Sequence, residues 1–320
     1  GCRSNFALGA MRFHLAGHST HSFGALFGPP SAAGSMCRLD STGMRHLLSF
    51  TAQQASGISC WMRDAAHIEK AFDFGGMPAR NGVTAALMVA HGMSAVDDVL
   101  HGERNFLFAF DAEERAGELV DALGSRYEVL NANIKKWSVG SPVQAALDSV
   151  QALMREQGLG AASLERLTVE VQDHEAAIVD NRSMPDICLQ HLVAVLLLDG
   201  TLTFASSHDV RRMSDAKVRA VRARVHLVGS PELTARGGRQ AIVTAALKGG
   251  GHIRHHTAAV SGTPASPMTR ADVQDKALDL LAPVLGVSRA RRLVDAIWQL
   301  ERLRSVRELR GLVVPARPTP

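Results

Sequence analysis

The sequence is poor in lysine, in aromatic residues and in long apolar runs. It has six lysines among its 320 residues, and aromatic residues make up only 5%. The longest apolar run, residues 192–198, is too short to span a bilayer, so we expect no membrane partner. With a net charge of +4 and arginines interleaved with acids, the chain lacks the basic patch and the aromatic platform that nucleic-acid binding needs. We therefore expect no nucleic-acid partner.

Cysteine is also sparse, and its spacing argues against common metal centres. The four cysteines are spread along the chain without a C-x-x-C pair, which disfavours a zinc or iron–sulfur site. No secretory signal pattern opens the sequence. We expect reduced thiols in a cytoplasmic protein, at Cys2, Cys37, Cys60 and Cys188.

The motifs of many cofactor-dependent enzymes are missing as well. The sequence has no P-loop, no G-x-G-x-x-G fingerprint, no G-x-S-x-G elbow and no H-E-x-x-H pair. His18 and His21 have H-x-x-H spacing, but no third ligand is evident nearby, so we expect no metal. We therefore expect no cofactor. The groups that remain are lysines, histidines and helix N-termini, which suit the binding and conversion of a small polycarboxylate.

The spacing of apolar residues changes along the chain. Its 320 residues are enough for two packed units. Residues 1–130 and 269–320 show the three- and four-residue apolar spacing of helices, whereas residues 131–268 mix helices with strands. We therefore predict a mainly α protein with an inserted α+β domain. A discontinuous all-helical domain is made from residues 1–130 and 269–320, and residues 131–268 form the insertion.

Local signals predict individual elements within this layout. Asp40 begins one helix, and Pro78 begins another that ends before Gly92 and has an unusually small face. Ser94, with an acid three residues later, predicts a further short helix. Thr269 is predicted to open the C-terminal helices through a capping box.

The middle of the chain shows the signals of a mixed α+β region. Alternating Leu167, Val169 and Val171 predict a half-buried strand. Residues 189–198 predict a buried helix, and residues 201–204 a strand after an Asp-Gly turn. Residues 249–256, which are rich in glycine and histidine, are interpreted as a polar loop.

Lys70 lies just ahead of a predicted glycine-rich turn, Gly75–Gly76, and the helix from Pro78. A cation at the positive end of a helix is mildly unfavourable unless an anion binds there as well. Arg80, in the same helix, could add a bidentate carboxylate contact. The alternatives are a surface lysine for Lys70 and a solvated or structural arginine for Arg80.

A second lysine candidate and a pair of histidines complete the residues of interest. Lys135 and Lys136 precede a Ser/Gly/Pro turn, and adjacent residues in an extended segment point to opposite sides, so at most one is expected to enter a cleft. The alternative is a solvated pair of lysines in a loop. His18 and His21 at a helix entrance suit proton transfer.

Four segments resemble motifs of the MmgE/PrpD family and occur in the family's order. Residues 18–40 are similar to its H-P-T-G-T-F-G-x-x-G segment, and residues 69–110 to its K-x-x-H-x-G-x-A-A-x-N-G segment. Residues 133–149 resemble the K-x-[YFW]-P motif, and residues 184–200 the Y-x-V-A-x-A-L-L-D-G segment. The resemblance covers nearly the whole chain.

The resemblance implies a helical domain of two chain segments, an α+β lid, an active site between the two and a homodimer. His18 falls on the family's active-site histidine, Lys70 on its substrate-binding lysine and Lys135 on the lysine that opens the lid. We predict these three as catalytic residues. Lys70 and Lys135, with Arg80 and His191, are predicted to bind substrate.

Three positions depart from the family pattern. Asp73 stands where the family has a histidine, Ser138 where it has the motif's proline, and His191 where it has the lid tyrosine. An aspartate facing a carboxylate would repel it, so we expect a substrate that differs from those of the best-known members. From its apolar surroundings alone, His191 is interpreted as a core histidine whose ring nitrogens have hydrogen-bond partners.

The family includes 2-methylcitrate dehydratase, cis-aconitate decarboxylase and iminodisuccinate epimerase. The resemblance therefore implies a cofactor-independent lyase, a hydro-lyase like 2-methylcitrate dehydratase, that abstracts a proton α to a carboxylate of a small di- or tricarboxylic acid. The alternatives are an epimerase or decarboxylase of the same family, or a truncated, non-catalytic relative acting through dimerisation. The family's upstream helical segment, with a catalytic Asp and His, has no counterpart here, so we expect an N-terminally truncated chain or one incomplete as an enzyme.

Overall fold

The computed structural model describes residues 10–64 and 68–314, which fall into two compact units. The first unit ends at Val129 and the second begins at Leu130. The described chain is mainly helical, with a four-stranded mixed sheet in the second unit. The predicted mainly α character with an α+β part is thus confirmed at this coarse level. The discontinuous helical domain, with residues 131–268 as its insertion, stays a prediction.

The first unit is built from short helices. Asp40 caps one of them by accepting a hydrogen bond from the backbone N–H of Gly43 at 2.8 Å, and Pro78 lies in the first turn of another, as predicted. Shorter 3-10 segments cover Ser59–Arg63 and Glu113–Leu119, and Glu128–Asn131 crosses the boundary. The α-helices are α1 (Ala10–Leu15), α2 (Thr20–Leu26), α3 (Gly28–Met36), α4 (Ser41–Ala52), α5 (Ile68–Ala71), α6 (Met77–Ala90) and α7 (Phe106–Ala109).

The small face of α6 allows it to pack closely against α3. Gly82, Ala85 and Ala86 are all buried, and a Cβ atom added at Gly82 would lie 2.5 Å from Cδ of Pro30 and 2.6 Å from its nitrogen. No side chain can be accommodated at that distance without a shift of backbone, because the obstacle includes main-chain atoms. Glycine at position 82 therefore sets the separation of the two helices.

The predicted glycine-rich turn after Lys70 is wrong. Residues 68–90 are helical throughout, because α5 continues through a π-helical turn, Phe72–Gly76, into α6. The turn closes with a hydrogen bond from the backbone N–H of Met77 to the carbonyl of Phe72. Gly76 has the helical dihedral angles φ −64° and ψ −48°, which residues other than glycine also adopt. Such π-helical turns occur frequently at functional sites.

The second unit contains the sheet and the remaining helices. Its strands are β1 (Leu164–Gln172), β2 (Val225–Ser230), β3 (Ala241–Leu247) and β4 (His252–Thr257). Its α-helices are α8 (Gln144–Gln157), α9 (Asp173–Val179), α10 (Leu189–Asp199), α11 (Phe204–His208), α12 (Ala216–Arg222), α13 (Pro231–Arg236), α14 (Arg270–Leu285), α15 (Val287–Ile297) and α16 (Arg310–Val313). Short 3-10 segments lie at Ser141–Val143, Pro185–Ile187, Val210–Ser214, Leu300–Arg302 and Val306–Leu309.

The four strands lie in the order β2-β1-β3-β4. β1 pairs parallel with β2 and antiparallel with β3, and β3 pairs antiparallel with β4. The predicted alternation in β1 is confirmed, since Leu167, Val169 and Val171 are fully buried. They join the main core of this unit together with α8 and α10, both of which contact the sheet. Thr269 caps α14 in a capping box with Asp272, also as predicted.

Three local predictions are wrong, and each has a physical reason. Residues 94–98 form no helix, because the carboxylate of Asp97 pairs with Nε2 of His46 at 3.1 Å instead of capping the backbone. Residues 201–203 form no strand, because Thr203 caps α11 in a capping box. The segment interpreted as a polar loop contains β4, which pairs with β3 along its whole length.

The predictions from composition concerned membrane-spanning helices and the state of the cysteines. None of the helices in residues 10–64 and 68–314 has the length and apolar character needed to cross a membrane. Cys37, Cys60 and Cys188 are free thiols. Cys2 lies outside the described residues.

Candidate functional site

A buried carboxylate lies at the centre of the first unit's polar cluster. The carboxylate of Asp73 accepts a hydrogen bond from the hydroxyl of Ser19, and both residues are buried. The hydroxyl of Ser22 donates to the carbonyls of Ser19 and Ser56, at 2.7 and 2.6 Å. These bonds tie the start of α2 to the π-helical turn.

Gly57 permits the close packing around this carboxylate. Its φ is +124°, a conformation that side chains rarely adopt, and an added Cβ would lie 2.7 Å from Oδ1 of Asp73 and closer still to Oγ of Ser22. The backbone N–H of Ser19 donates to the carbonyl of Gly57 at 3.1 Å. The segment around Gly57 therefore covers the carboxylate from a third side.

Aromatic rings surround the ammonium group of Lys70. Its Nζ lies 5.4 Å from the ring centre of Trp61 and 5.5 Å from that of Phe74, within the range of cation–π attraction. The imidazole of His21 stacks on Phe74 with centroids 3.9 Å apart and planes 8° from parallel. Lys70, His21, Trp61 and Phe74 form what we call the Lys70 cluster.

Ionisable groups in and beside the Lys70 cluster perturb one another. Loss of hydration lowers the pKa of His21, the charge of Asp73 opposes this effect and the charge of Lys70 adds to it. Burial raises the pKa of Asp73, although the Ser19 hydroxyl and the charge of His21 favour its ionised form. A histidine that stays neutral next to a carboxyl group that holds its proton more tightly is suited to moving protons.

Asp73 was not among the predicted site residues, although it stands where the family has a histidine. From the sequence we expected its charge to face and repel a substrate carboxylate. In the structure it is 6% exposed and bonded to Ser19. The spacing of Lys70 and Asp73, three residues apart in a helical segment, was the signal that could have placed both groups in one cluster.

His18 lies beside this cluster in sequence but packs against different rings. Its imidazole is 5.8 Å from the ring centre of Phe13 and 6.0 Å from that of Phe23, and it is exposed to solvent. Its backbone is fixed by a bridge to Ile58 and by a hydrogen bond from the Ser59 hydroxyl to its carbonyl at 3.0 Å. The backbone is thus well anchored while the ring remains accessible.

Arg80 does not point freely into solvent. Its guanidinium lies 5.5 Å from the ring centre of Phe72, and its Nε and one terminal nitrogen donate to Oδ1 of the neighbouring Asn81, at 3.2 and 3.0 Å. The second terminal nitrogen has no hydrogen-bond partner among the described residues. The bidentate carboxylate contact predicted for Arg80 stays a prediction, and it would have to replace these bonds.

In the second unit, Lys135 lines a cavity of about 560 Å³. Its Nζ donates to the carbonyl of Val139 at 3.1 Å. Lys136 lines another cavity, where its Nζ bonds to Oε1 of Gln151 at 2.5 Å and lies 3.5 Å from Oδ1 of Asp148. The two adjacent lysines thus line different cavities, so the expectation that at most one of them enters a cleft is wrong. Residues that alternate in an extended segment can each face a cavity on their own side of the chain.

His191, the fourth predicted substrate contact, is fully buried in α10. The interpretation as a core histidine is confirmed, but its hydrogen-bonded state is not, because neither ring nitrogen has a hydrogen-bond partner among the described residues. Burial is the main cause that lowers the pKa of His191 to about 4, and the positive charges of Arg222 and Arg212 add to it. The imidazole is therefore neutral at ordinary pH. Its predicted role in substrate binding stays a prediction.

In the part of the chain that the structure describes, no three His, Cys, Asp or Glu side chains come together in a way that could hold a metal ion. His18 and His21, which have H-x-x-H spacing, instead contact phenylalanine rings. Their arrangement is that of aromatic packing partners with accessible edges.

Comparison with known families accounts for both halves of the sequence. Residues 4–118 match the MmgE/PrpD N-terminal domain, and residues 137–302 match the MmgE/PrpD C-terminal domain. Among curated proteins, none matches the sequence. The two domain matches together span most of the chain and occur in the expected order. The chain therefore belongs to the MmgE/PrpD family.

Proposed function

We propose that this chain is a cofactor-independent hydro-lyase that removes a proton α to a carboxylate of a small di- or tricarboxylic acid. The family includes dehydratases, so its two domain matches suggest a hydro-lyase-like role. The proposed role in proton removal depends on the surroundings of the Lys70 ammonium group. It is half-buried, lies over two aromatic rings and has no carboxylate partner in the described part of the chain.

The ammonium group of Lys70 has no carboxylate counter-ion among the described residues, so an anion from outside the chain can pair with it. Aromatic faces supply part of the missing attraction, but they accept no hydrogen bonds from the ammonium in the way a carboxylate does. A substrate carboxylate would supply both the opposite charge and the hydrogen-bond acceptors. In this proposal Lys70 binds such a carboxylate and stabilises the negative charge that develops as the α proton leaves.

The proton needs an acceptor near Lys70. In the proposed reaction a neutral imidazole takes the proton from the α carbon, and the electron pair forms a carbon–carbon double bond as the β-hydroxyl departs. The imidazolium gives its proton to that hydroxyl, which leaves as water, and the imidazole is neutral again. The resemblance to the family assigns the acceptor to His18. The lowered pKa of His21 and its stacking on Phe74, whose ring centre also lies 5.5 Å from Nζ of Lys70, favour His21 as a second candidate.

The remaining predicted residues have supporting roles. Lys135 binds a substrate carboxylate in this proposal, since its cationic side chain lines a cavity large enough for a small acid. Arg80 and His191 are further substrate contacts. A homodimer and a cytoplasmic location belong to the same proposal, as the family resemblance implies them.

Hydrogen–deuterium exchange tests this proposal without requiring knowledge of the natural substrate. The full chain is incubated in D₂O with a panel of citrate-like and aspartate-like acids, and deuterium at the α carbon is followed by NMR. We expect exchange with at least one acid and a decrease of about tenfold to a hundredfold in Lys70→Met, because a charge-assisted contact is lost. Lys217→Met, which removes an exposed lysine of α12, serves as the control.

The outcomes separate cleanly. Exchange that is reduced in Lys70→Met and unchanged in Lys217→Met supports the proposal, provided that both variants unfold at the temperature of the wild type. Water loss, inversion or CO₂ release from the exchanging acid then identifies dehydration, epimerisation or decarboxylation. Absence of exchange with every acid, or equal exchange in Lys70→Met, would overturn it.

A further inference from the structure

The cavity that Lys135 lines contains a second cation, Arg239. The cavity has a volume of about 560 Å³, which is within the usual range for small-molecule sites. Polar groups on its wall include His174, Glu175 and the amides of Gln144 and Gln172. All of these residues belong to the second unit.

Arg239 is held by a buried carboxylate on one side of its guanidinium. Its Nε donates to Oε1 of Glu175 at 2.9 Å. The Glu175 side chain is only 4% exposed, whereas that of Arg239 is 45% exposed. The two terminal nitrogens of Arg239 have no hydrogen-bond or ion-pair partner among the described residues. The ion pair thus uses the inner side of the guanidinium and leaves its outer side unoccupied.

The backbone that carries Arg239 is itself fixed. Gly237 and Gly238 both have a φ of +68°, which turns the chain between α13 and β3. Nε2 of Gln172 donates to the carbonyl of Gly238 at 2.6 Å and to that of Leu233 at 3.3 Å, and it is buried. Since β1, β3 and this turn are linked in this way, the guanidinium is presented from a rigid support.

The charged side chains that line the cavity are Glu175, Arg239 and Lys135. Glu175 is neutralised by Arg239, and Lys135 adds a further cation. The charge of Arg239 also favours the ionised form of Glu175, opposing the burial that raises its pKa. A guanidinium with two adjacent, unoccupied N–H groups matches the two oxygens of a carboxylate, with which it makes parallel hydrogen bonds.

We propose that this cavity binds a carboxylate group through the terminal nitrogens of Arg239, with Glu175 as the positioning residue. The inference rests on the proposed function in one respect, namely that the ligand is a small polycarboxylic acid. Arg239 is then a residue that selects for acids with a carboxylate in reach of this cavity. Phosphate is the competing anion, since a guanidinium fork also fits its oxygens.

Calorimetric binding of tricarballylate, a tricarboxylate without a hydroxyl group to eliminate, tests the inference on the full chain. Arg239→Gln should weaken binding by about tenfold to a hundredfold. Arg236→Gln is the matched control, since Arg236 lies three residues away and pairs with Glu232 at 2.6 Å outside the cavity. Arg239→Lys, which keeps the charge but loses the fork, should bind with intermediate affinity.

A double-mutant cycle tests the role assigned to Glu175. Glu175→Gln should weaken tricarballylate binding in the wild-type background and have no effect in the Arg239→Gln background, because it acts through that guanidinium. A merely structural role would lower affinity equally in both backgrounds. Thermal unfolding of each variant shows whether the fold is retained.

Each outcome decides the inference, and the proposed function is judged separately. No binding of tricarballylate at millimolar concentration, equal binding in Arg239→Gln and wild type, or tighter binding of inorganic phosphate than of tricarballylate overturns it. If binding depends on Arg239 while no acid undergoes exchange, the cavity is a carboxylate site and the lyase proposal fails. If exchange occurs equally in wild type and Arg239→Gln, the lyase proposal stands and this inference fails.

Discussion

Ser19 donates its hydroxyl hydrogen to the buried carboxylate of Asp73, across 54 residues of sequence. The bond joins the histidine-bearing start of α2 to the helical segment that carries Lys70. It also gives Asp73 a partner other than the substrate, so the expected repulsion between this aspartate and an acid substrate is reduced. Asp73 is thus a buried carboxyl group to which the protein itself supplies a hydrogen bond.

Replacing Asp73 should change how stability depends on pH. Burial raises the folded-state pKa of Asp73 above its ordinary value of 3.8, so the folded state holds this proton more tightly than the unfolded state. The resulting stabilisation is present below pH 3.8 and is lost as the pH rises through the folded-state pKa. Asp73→Asn cannot titrate. Its free energy of unfolding relative to the wild type should therefore increase over this interval and then level off.

Urea unfolding of both proteins at a series of pH values measures this difference. Asp97→Asn, at an exposed carboxylate in the same unit, is the control and should not show the same trend. A difference between Asp73→Asn and wild type that stays constant or shrinks as the pH rises would contradict the prediction.

The two histidine candidates can be separated by substitution. Glutamine at the residue that accepts the α proton should slow exchange by about 10²–10⁴-fold, whereas glutamine at the other should have a small effect. If His21 is the acceptor, the lowered pKa keeps it neutral at more acidic pH, so the acidic limb of the rate profile should fall below pH 6.5. Rates of His18→Gln and His21→Gln, each measured across pH, check both statements.

Leucine at position 191 should stabilise the protein at neutral pH. His191 buries two ring nitrogens without partners among the described residues, and an unsatisfied buried polar group costs about 1–3 kcal/mol. His191→Leu removes these groups while keeping a similar volume, so its free energy of unfolding should rise by about that amount. The same variant tests the predicted substrate contact, because loss of such a contact would raise KM.

The wild type should also lose stability in acid through His191. Its pKa falls from 6.5 to about 4 on folding, so the unfolded state takes up a proton that the folded state does not. Stability is complete above pH 6.5 and decreases as the pH falls towards 4, by about 3 kcal/mol in total. His191→Leu should remove this part of the acid sensitivity. Equal slopes in both proteins would show that His191 is not its source.

Alanine at position 82 should destabilise the first unit. Its Cβ would lie 2.5 Å from Cδ of Pro30, and separating α3 from α6 costs about 1–3 kcal/mol. Gly75→Ala is the control, because no atom lies within 4 Å of its added Cβ. That variant should be unchanged or more stable by about 0.5–1 kcal/mol. Thermal unfolding that ranks the two variants in the opposite order would contradict this packing argument.

Elements governed by local chemistry were predictable from the sequence. Asp40 and Thr269 cap helices through side-chain bonds that span three residues, so their signal is complete within a short segment. The strand around Val169 was evident because its alternate residues enter the core. Lys135 lines a cavity, while its role in substrate binding stays a prediction.

Features decided by distant partners were not predictable. Asp97 was assigned to a helix cap, but His46 competes for its carboxylate. The polar sequence of β4 indicated a loop, and pairing with β3 overrides that preference. The contacts of Asp73 with Ser19 and of Arg239 with Glu175 also join residues far apart in sequence, and neither pair has a spacing that would reveal it.

The π-helical turn before α6 affects how this region responds to changes in chain length. Its hydrogen bond encloses one residue more than an α-helical turn, so residues upstream are rotated by about 100° relative to an uninterrupted helix. Deleting a single residue between 72 and 76 would swing Lys70 to another side of the helix axis. The contact of Gly82 with Pro30 would be unaffected. Gain or loss of one residue, and not a substitution, is thus the smallest genetic step that reorients this ammonium group.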